Sequence, residues 1–178
     1  MMLQPVIPIF LVDEIKVQYS QVAAARGLIF FGVISVLSPF FGWLLDRTNV
    51  ARVGIVGFSI LALFPLAMAF SRSMGSVYGA FAVYGLAMSA VNIAWTMGPI
   101  VFAGQRDAAR YMGVHVMMVG IRGLVGNPFG LLLMKLIGSR GAFLVSALFF
   151  TGAAAIIARL DRPQAAVAST ATVPSGPA

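Results

Sequence analysis

VYGAFAVYGLAMSAVNIAWTMGPIVF, residues 77–102, runs without one Asp, Glu, Lys, Arg or His. A helix rises 1.5 Å per residue, so about 20 apolar residues cover the roughly 30 Å of a bilayer's hydrocarbon core. This stretch is long enough to cross. Four others match it in length and character: Gly27 to Leu45, Val53 to Phe70, Tyr111 to Met134 and Gly141 to Ala158. The chain therefore reads as an integral membrane protein.

Composition agrees. Hydrophobic residues make up 60% of the chain and charged residues 10%, and the charges gather in the short intervals between apolar runs. With no water in the bilayer core, the backbone must satisfy its own hydrogen bonds, which leaves helices or a closed barrel. Barrel strands alternate apolar and polar residues over about ten positions. These runs do not alternate, so the expected fold is all-α.

Residues 1–12 are apolar, carry Pro5 and Pro8, and stop at Asp13 and Glu14. A signal peptide would open on basic residues and close on a small-residue cleavage site, and neither is present. The segment is about half a span, which suggests a helix lacking its first half and a chain that is a fragment. Six helices are expected, at about 1–12, 21–45, 53–70, 77–102, 111–136 and 141–158, forming a transmembrane bundle over 1–160. Short connections make neighbours antiparallel. Residues 161–178, rich in Ala, Pro, Ser and Thr, are expected to form a disordered cytoplasmic tail.

Orientation follows the Lys and Arg of the short loops. Arg47, Arg52, Arg106, Arg110, Arg159 and Arg162 collect on one side, and Lys16, Arg72, Lys135 and Arg140 on the other. The richer side is expected to be cytoplasmic, with the C-terminus there. The net charge of +7 is spread without a basic stripe or run, so anionic lipid headgroups, not nucleic acid, are the expected partner. No Cys and a single His leave no thiol or paired-ligand metal site. Neither a metal nor a cofactor is expected, and an intramembrane enzyme would lack its nucleophile and base.

Polar side chains at membrane depth are costly and mark pathways. The third and sixth helices hold nothing stronger than Ser59, Ser146 and Thr151, which bond back to their own helix, and are expected at the periphery. Gln4, Arg26, Asn92, His115, Arg122 and Asn127 fall on the other four, which are expected to surround a polar cavity. Arg122 stands roughly 16 Å into the fifth helix by helical rise, near mid-membrane. No Asp or Glu lies at depth. His115 precedes Arg122 on nearly the same face. The candidate substrate or coupling residues are Arg122, His115, Asn92, Arg26 and Trp95. The stripe Ser89, Asn92, Thr96 beside Gly85 and Trp95 suits either substrate or a close-packed seam.

The segment Gly42-Trp43-Leu44-Leu45-Asp46-Arg47, followed by Arg52, resembles the signature loop of the major facilitator superfamily, Gly-x-x-x-Asp-Arg/Lys-x-Gly-x-Arg-Lys/Arg. Asn49 stands where the second Gly is usual and is able to adopt a left-handed turn. Pro5-Val6-Ile7-Pro8 resembles the entry to the first helix of a six-helix half, and Gly123 through Gly130, with Asn127-Pro128, a worn Gly-Pro motif of the fifth. The resemblance covers about residues 1 to 160 and implies the C-terminal half of a transporter; ten Arg among the twelve basic residues, with abundant Ala and Gly, hint at a GC-rich bacterial genome and so at a bacterial inner membrane. The resemblance implies a small-molecule substrate between two halves and alternating access. The partner would be a missing N-terminal half or a second copy. It also implies a gating loop of Gly42, Asp46, Arg47 and Arg52, with Asp46 meeting Arg110 at the end of the fifth helix. The competing reading is a non-transporting six-helix scaffold or partner subunit.

Overall fold

The computed structural model describes residues 2–171, without the side chains of residues 102, 104–108 and 161–171. Among these residues the chain is helical and holds no strand. Helix α1 (Val6–Ile9) continues into a π-helical turn, Phe10–Glu14. A short link carries Lys16 in the left-handed region, at φ 57. Helix α2 (Tyr19–Arg47) contains a second π-helical turn, Ala25–Phe30, and α3 spans Val50–Phe70. Helical backbone then follows residue upon residue through Met74–Ala171.

That last run is not one rod. On a straight helix Trp95 and Arg122 would stand about 40 Å apart, yet the Arg122 guanidinium lies 4.3 Å from the centre of the Trp95 ring. Arg122 and Phe150 would be about 42 Å apart on such a rod, yet both line one cavity. The run therefore folds back twice, giving α4 (Met74–Val101), α5 (109–137) and α6 (139–160). The second reversal falls at Gly138, whose φ of +78 is a conformation that only glycine adopts without a steric penalty.

Among the described residues, four helices meet the length and hydropathy needed to cross a bilayer: Tyr19–Arg47, Val50–Phe70, Met74–Val101 and Ala109–Leu160. The last holds both spans expected at 111–136 and 141–158, because the reversal at Gly138 leaves no non-helical segment between them. The helical run also reaches Ala171, past the end expected at Ala158. Alanine, the best helix former, is abundant there. Of the tail expected to be disordered, residues 172–178 lie outside the described residues.

One cluster gathers the core: Val6 of α1, Phe10 and Leu11 of the π-helical turn that follows it, Phe30 of α2, Phe64 and Met68 of α3, Val77 and Phe81 of α4, and Phe143 of α6. Phe10 meets Phe143 edge to face at 5.1 Å. Tyr84 is stacked between Phe30 at 4.5 Å and Phe64 at 4.3 Å. Since lipid is as apolar as these rings, what holds the helices is contact geometry, with little help from exclusion of water. Gly85 shows this: a Cβ there would come within 2.8 Å of the Phe30 carbonyl oxygen, so α2 and α4 touch through backbone.

The turn between α2 and α3 differs from the left-handed expectation for Asn49. Its backbone is extended, at φ −144 and ψ 164, and its side-chain oxygen accepts a 2.7 Å hydrogen bond from the Arg52 amide. Asn serves here as an N-cap, a role glycine fills with less gain.

Candidate functional site

A cavity of about 520 Å³ opens among α1, α3, α4, α5 and α6. Its walls repeat at helical spacing: Tyr84, Met88, Val91 and Trp95 on α4, Phe58, Leu61 and Phe64 on α3, Arg122, Gly126 and Phe129 on α5, and Ser146, Phe149 and Phe150 on α6. Met2, Leu3, Gln4 and Ile7 close the remaining side. Each set places successive members three or four residues apart with few exceptions, so each helix turns one face inward. The cavity is dominated by aromatic and aliphatic side chains.

Among the described residues, Arg122 is its one charged lining residue. The guanidinium carbon sits over the Trp95 indole, where the ring's negative face attracts a cation. Trp95 in turn meets the His115 ring edge-on, 5.9 Å between centroids. Among the described residues, Arg122 donates no hydrogen bond to protein, and the side chain remains exposed. Its N–H edge is free.

Of the expected site residues, Arg122 and Trp95 line the cavity together, with His115 one contact behind Trp95. Asn92 is exposed on α4 and outside the lining; its carbonyl accepts the Thr96 hydroxyl at 2.9 Å. Ser89 is buried and bonds the Gly85 carbonyl at 2.8 Å, so its part of the small-residue stripe faces the seam with α2. Arg26 donates to Gln4 Oε1 at 3.3 Å and borders a smaller pocket that shares Gln4 and Tyr84 with the main one. It stands one residue removed from the cavity.

One expectation is corrected. The third and sixth helices were expected at the periphery, but α3 and α6 supply Phe58, Leu61, Phe64, Ser146, Phe149 and Phe150 to the wall, and half of the apolar window of α3 is buried. Polarity pointed elsewhere because this wall is made of rings and aliphatic groups, which carry no polar mark. Gln4 was singled out as a polar group but not as a site residue; it proves to link both pockets. The repeat 84, 88, 91, 95 on α4 was the signal in the sequence that leads to the wall.

In the loop, among the described residues, Asp46 forms no ion pair with Arg110, and both are exposed. An exposed pair gains too little to hold two long side chains in one geometry. Arg47 instead lies 4.5 Å from the centre of the Trp43 ring. Gly42 is half-buried within α2, and Arg52 follows the Asn49 cap.

The family model for the Major Facilitator Superfamily matches residues 1–175. The chain belongs to the major facilitator superfamily. Residues of the chain are also 29% identical over 126 positions to the synaptic vesicular amine transporter of Bos taurus, covering 68% of this chain and 24% of that protein. The chromaffin granule amine transporter of Rattus norvegicus is 29% identical over 113 residues, 63% of this chain and 22% of that one. The chain thus spans about a quarter of the length of the curated relatives it matches. As a member of the superfamily it is a multi-pass membrane protein of transporter type, in keeping with its long apolar helices.

Proposed function

We propose that this chain is the C-terminal six-helix half of a secondary transporter that moves a small solute by alternating access. The observation that carries the reading is the cavity lined from five helices and holding Arg122 over Trp95. A cation at membrane depth is costly and is kept where it serves a pathway. In this reading Arg122 and Trp95 bind solute, His115 supports Trp95, and Asn92 and Arg26 flank the path.

The loop of Gly42, Asp46, Arg47 and Arg52, with Arg110 nearby in the topology, gates the cytoplasmic side when the helices rock against an N-terminal half or a second copy. The Lys and Arg distribution supports a C-terminus in the cytoplasm, and the Arg-, Ala- and Gly-rich composition supports a bacterial inner membrane.

The test is uptake into proteoliposomes by the chain together with its other half, using a panel of organic anions and cations under an imposed pH gradient. Accumulation that a protonophore collapses and that Arg122→Ala lowers at least about tenfold supports transport through this cavity. Uptake no greater than in empty vesicles across the panel would leave a non-transporting scaffold.

A further inference from the structure

We propose that the cavity is an organic-anion site, in which the Arg122 guanidinium takes the carboxylate of an aryl acid and the ring-lined walls take its apolar body. This inference rests on the reading of the cavity as the solute site and adds the sign of the solute's charge.

Charge gives the first argument. Among the described residues, Arg122 is the only ionisable side chain besides Tyr84 in the lining, and no carboxylate is part of it. The whole chain has five acidic residues, Asp13, Glu14, Asp46, Asp107 and Asp161, and each lies outside the apolar stretches 27–45, 53–70, 77–102, 111–134 and 141–158. An ammonium entering this cavity would meet a like charge in surroundings of low dielectric, where repulsion is poorly screened. The relatives are named for amines. The cavity of this chain has the opposite complement.

Geometry gives the second. Trp95 covers one face of the guanidinium, which fixes where the group sits and leaves its edge of N–H donors uncovered. Among the described residues that edge has no protein acceptor. A planar fork of donors matches the two oxygens of a carboxylate, which it binds bidentately. Size gives the third: about 520 Å³ falls in the range that holds a compact organic ligand. The Phe58, Phe129 and Phe150 rings provide the flat contacts that an aryl body needs.

The chain carries two Trp residues, so Trp43→Phe leaves Trp95 as the single indole reporter within the site. We would place this variant in phosphatidylcholine nanodiscs and titrate it with 2-naphthoate and, separately, with 2-naphthylmethylamine. The two share a ring system and differ in charge, so optical corrections cancel. The expected result is saturable quenching of Trp95 by the acid, about tenfold or more tighter than by the amine, the scale of one charge-assisted hydrogen bond. Arg122→Gln is expected to remove that preference, and Arg122→Lys to retain part of it.

Helical circular dichroism and a single elution peak establish that Arg122→Gln is folded; if it is not, the acid-to-amine ratio of the parent decides alone. The amine binding as tightly as the acid, or a folded Arg122→Gln keeping the acid's affinity, would overturn the anion assignment and leave the cavity as a solute site. Saturable binding of neither probe would overturn the cavity as a solute site altogether.

Discussion

The guanidinium carbon of Arg122 rests 4.3 Å from the centre of the Trp95 indole, and the same indole meets the His115 ring at 5.9 Å. A cation, an indole and an imidazole from α4 and α5 are thus joined in one line of contacts, with the cation at the cavity end. The ring supplies attraction to the guanidinium without using up its hydrogen-bond donors, which is what a residue waiting for a ligand requires.

Trp95→Ala removes this support while keeping the charge. A desolvated cation–π contact contributes about 2 kcal/mol and an exposed one about 0.5–1 kcal/mol, so solute affinity should fall between about twofold and thirtyfold. Trp95→Phe should lose less, because a smaller ring still presents its face. Titration with 2-naphthoate in nanodiscs, read by equilibrium dialysis since the reporter is gone, measures both.

Gly85→Val tests the seam between α2 and α4. The added Cβ would meet the Phe30 carbonyl oxygen at 2.8 Å and the Val33 side chain at 2.9 Å, and backbone cannot step aside as a flexible side chain would. Overpacking of this kind costs about 1–3 kcal/mol, seen as a lower midpoint of thermal unfolding in detergent. Gly79→Ala is the control. Nothing lies within 4 Å of a Cβ there, and its midpoint should hold or rise.

Much of this fold was legible because lipid imposes a simple rule. Stretches such as 77–102 have to be helices, and the intervals at Arg47 and Arg72 have to be turns. Arg122 and Trp95 were legible too, the first because a mid-membrane cation is expensive. The walls were not. Phe58, Phe64, Phe129 and Phe150 look in sequence like any lipid-facing ring, and only the fold tells an inward ring from an outward one. The same blindness put α3 and α6 at the edge. The backbone of Asn49 was misjudged for a different reason: Asn is suited both to a left-handed turn and to a helix cap, and its neighbour's amide decides between them.

Asn49→Ala should expose that choice. Losing the 2.7 Å bond to the Arg52 amide leaves a helix N-terminus uncapped at a cost of about 1 kcal/mol. Asn49→Ser keeps an acceptor and should unfold close to the parent. Asn49→Gly should fall between the two, within a few tenths of a kcal/mol of Asn. Thermal unfolding of the four proteins side by side gives the order.

Gly138→Ala places a side chain in the left-handed region at φ +78, which costs about 1–2 kcal/mol. There is room for the methyl group, with nothing within 4 Å, so the penalty is purely conformational. Gly138→Asn, whose short amide tolerates this region, should recover part of it. The readout is again the unfolding midpoint, and an Ala variant as stable as the parent would show that the α5 to α6 reversal does not depend on this torsion.

The two π-helical turns, Phe10–Glu14 and Ala25–Phe30, flank the same short link through Lys16. A turn widened by one residue grips its neighbours less firmly than an α turn and is where a helix most readily changes direction. The tie from Arg26 to Gln4 spans this loosened corner, from the start of one widened turn to a residue of the cavity wall. A change of direction at either turn is therefore coupled, through one hydrogen bond, to the lining itself.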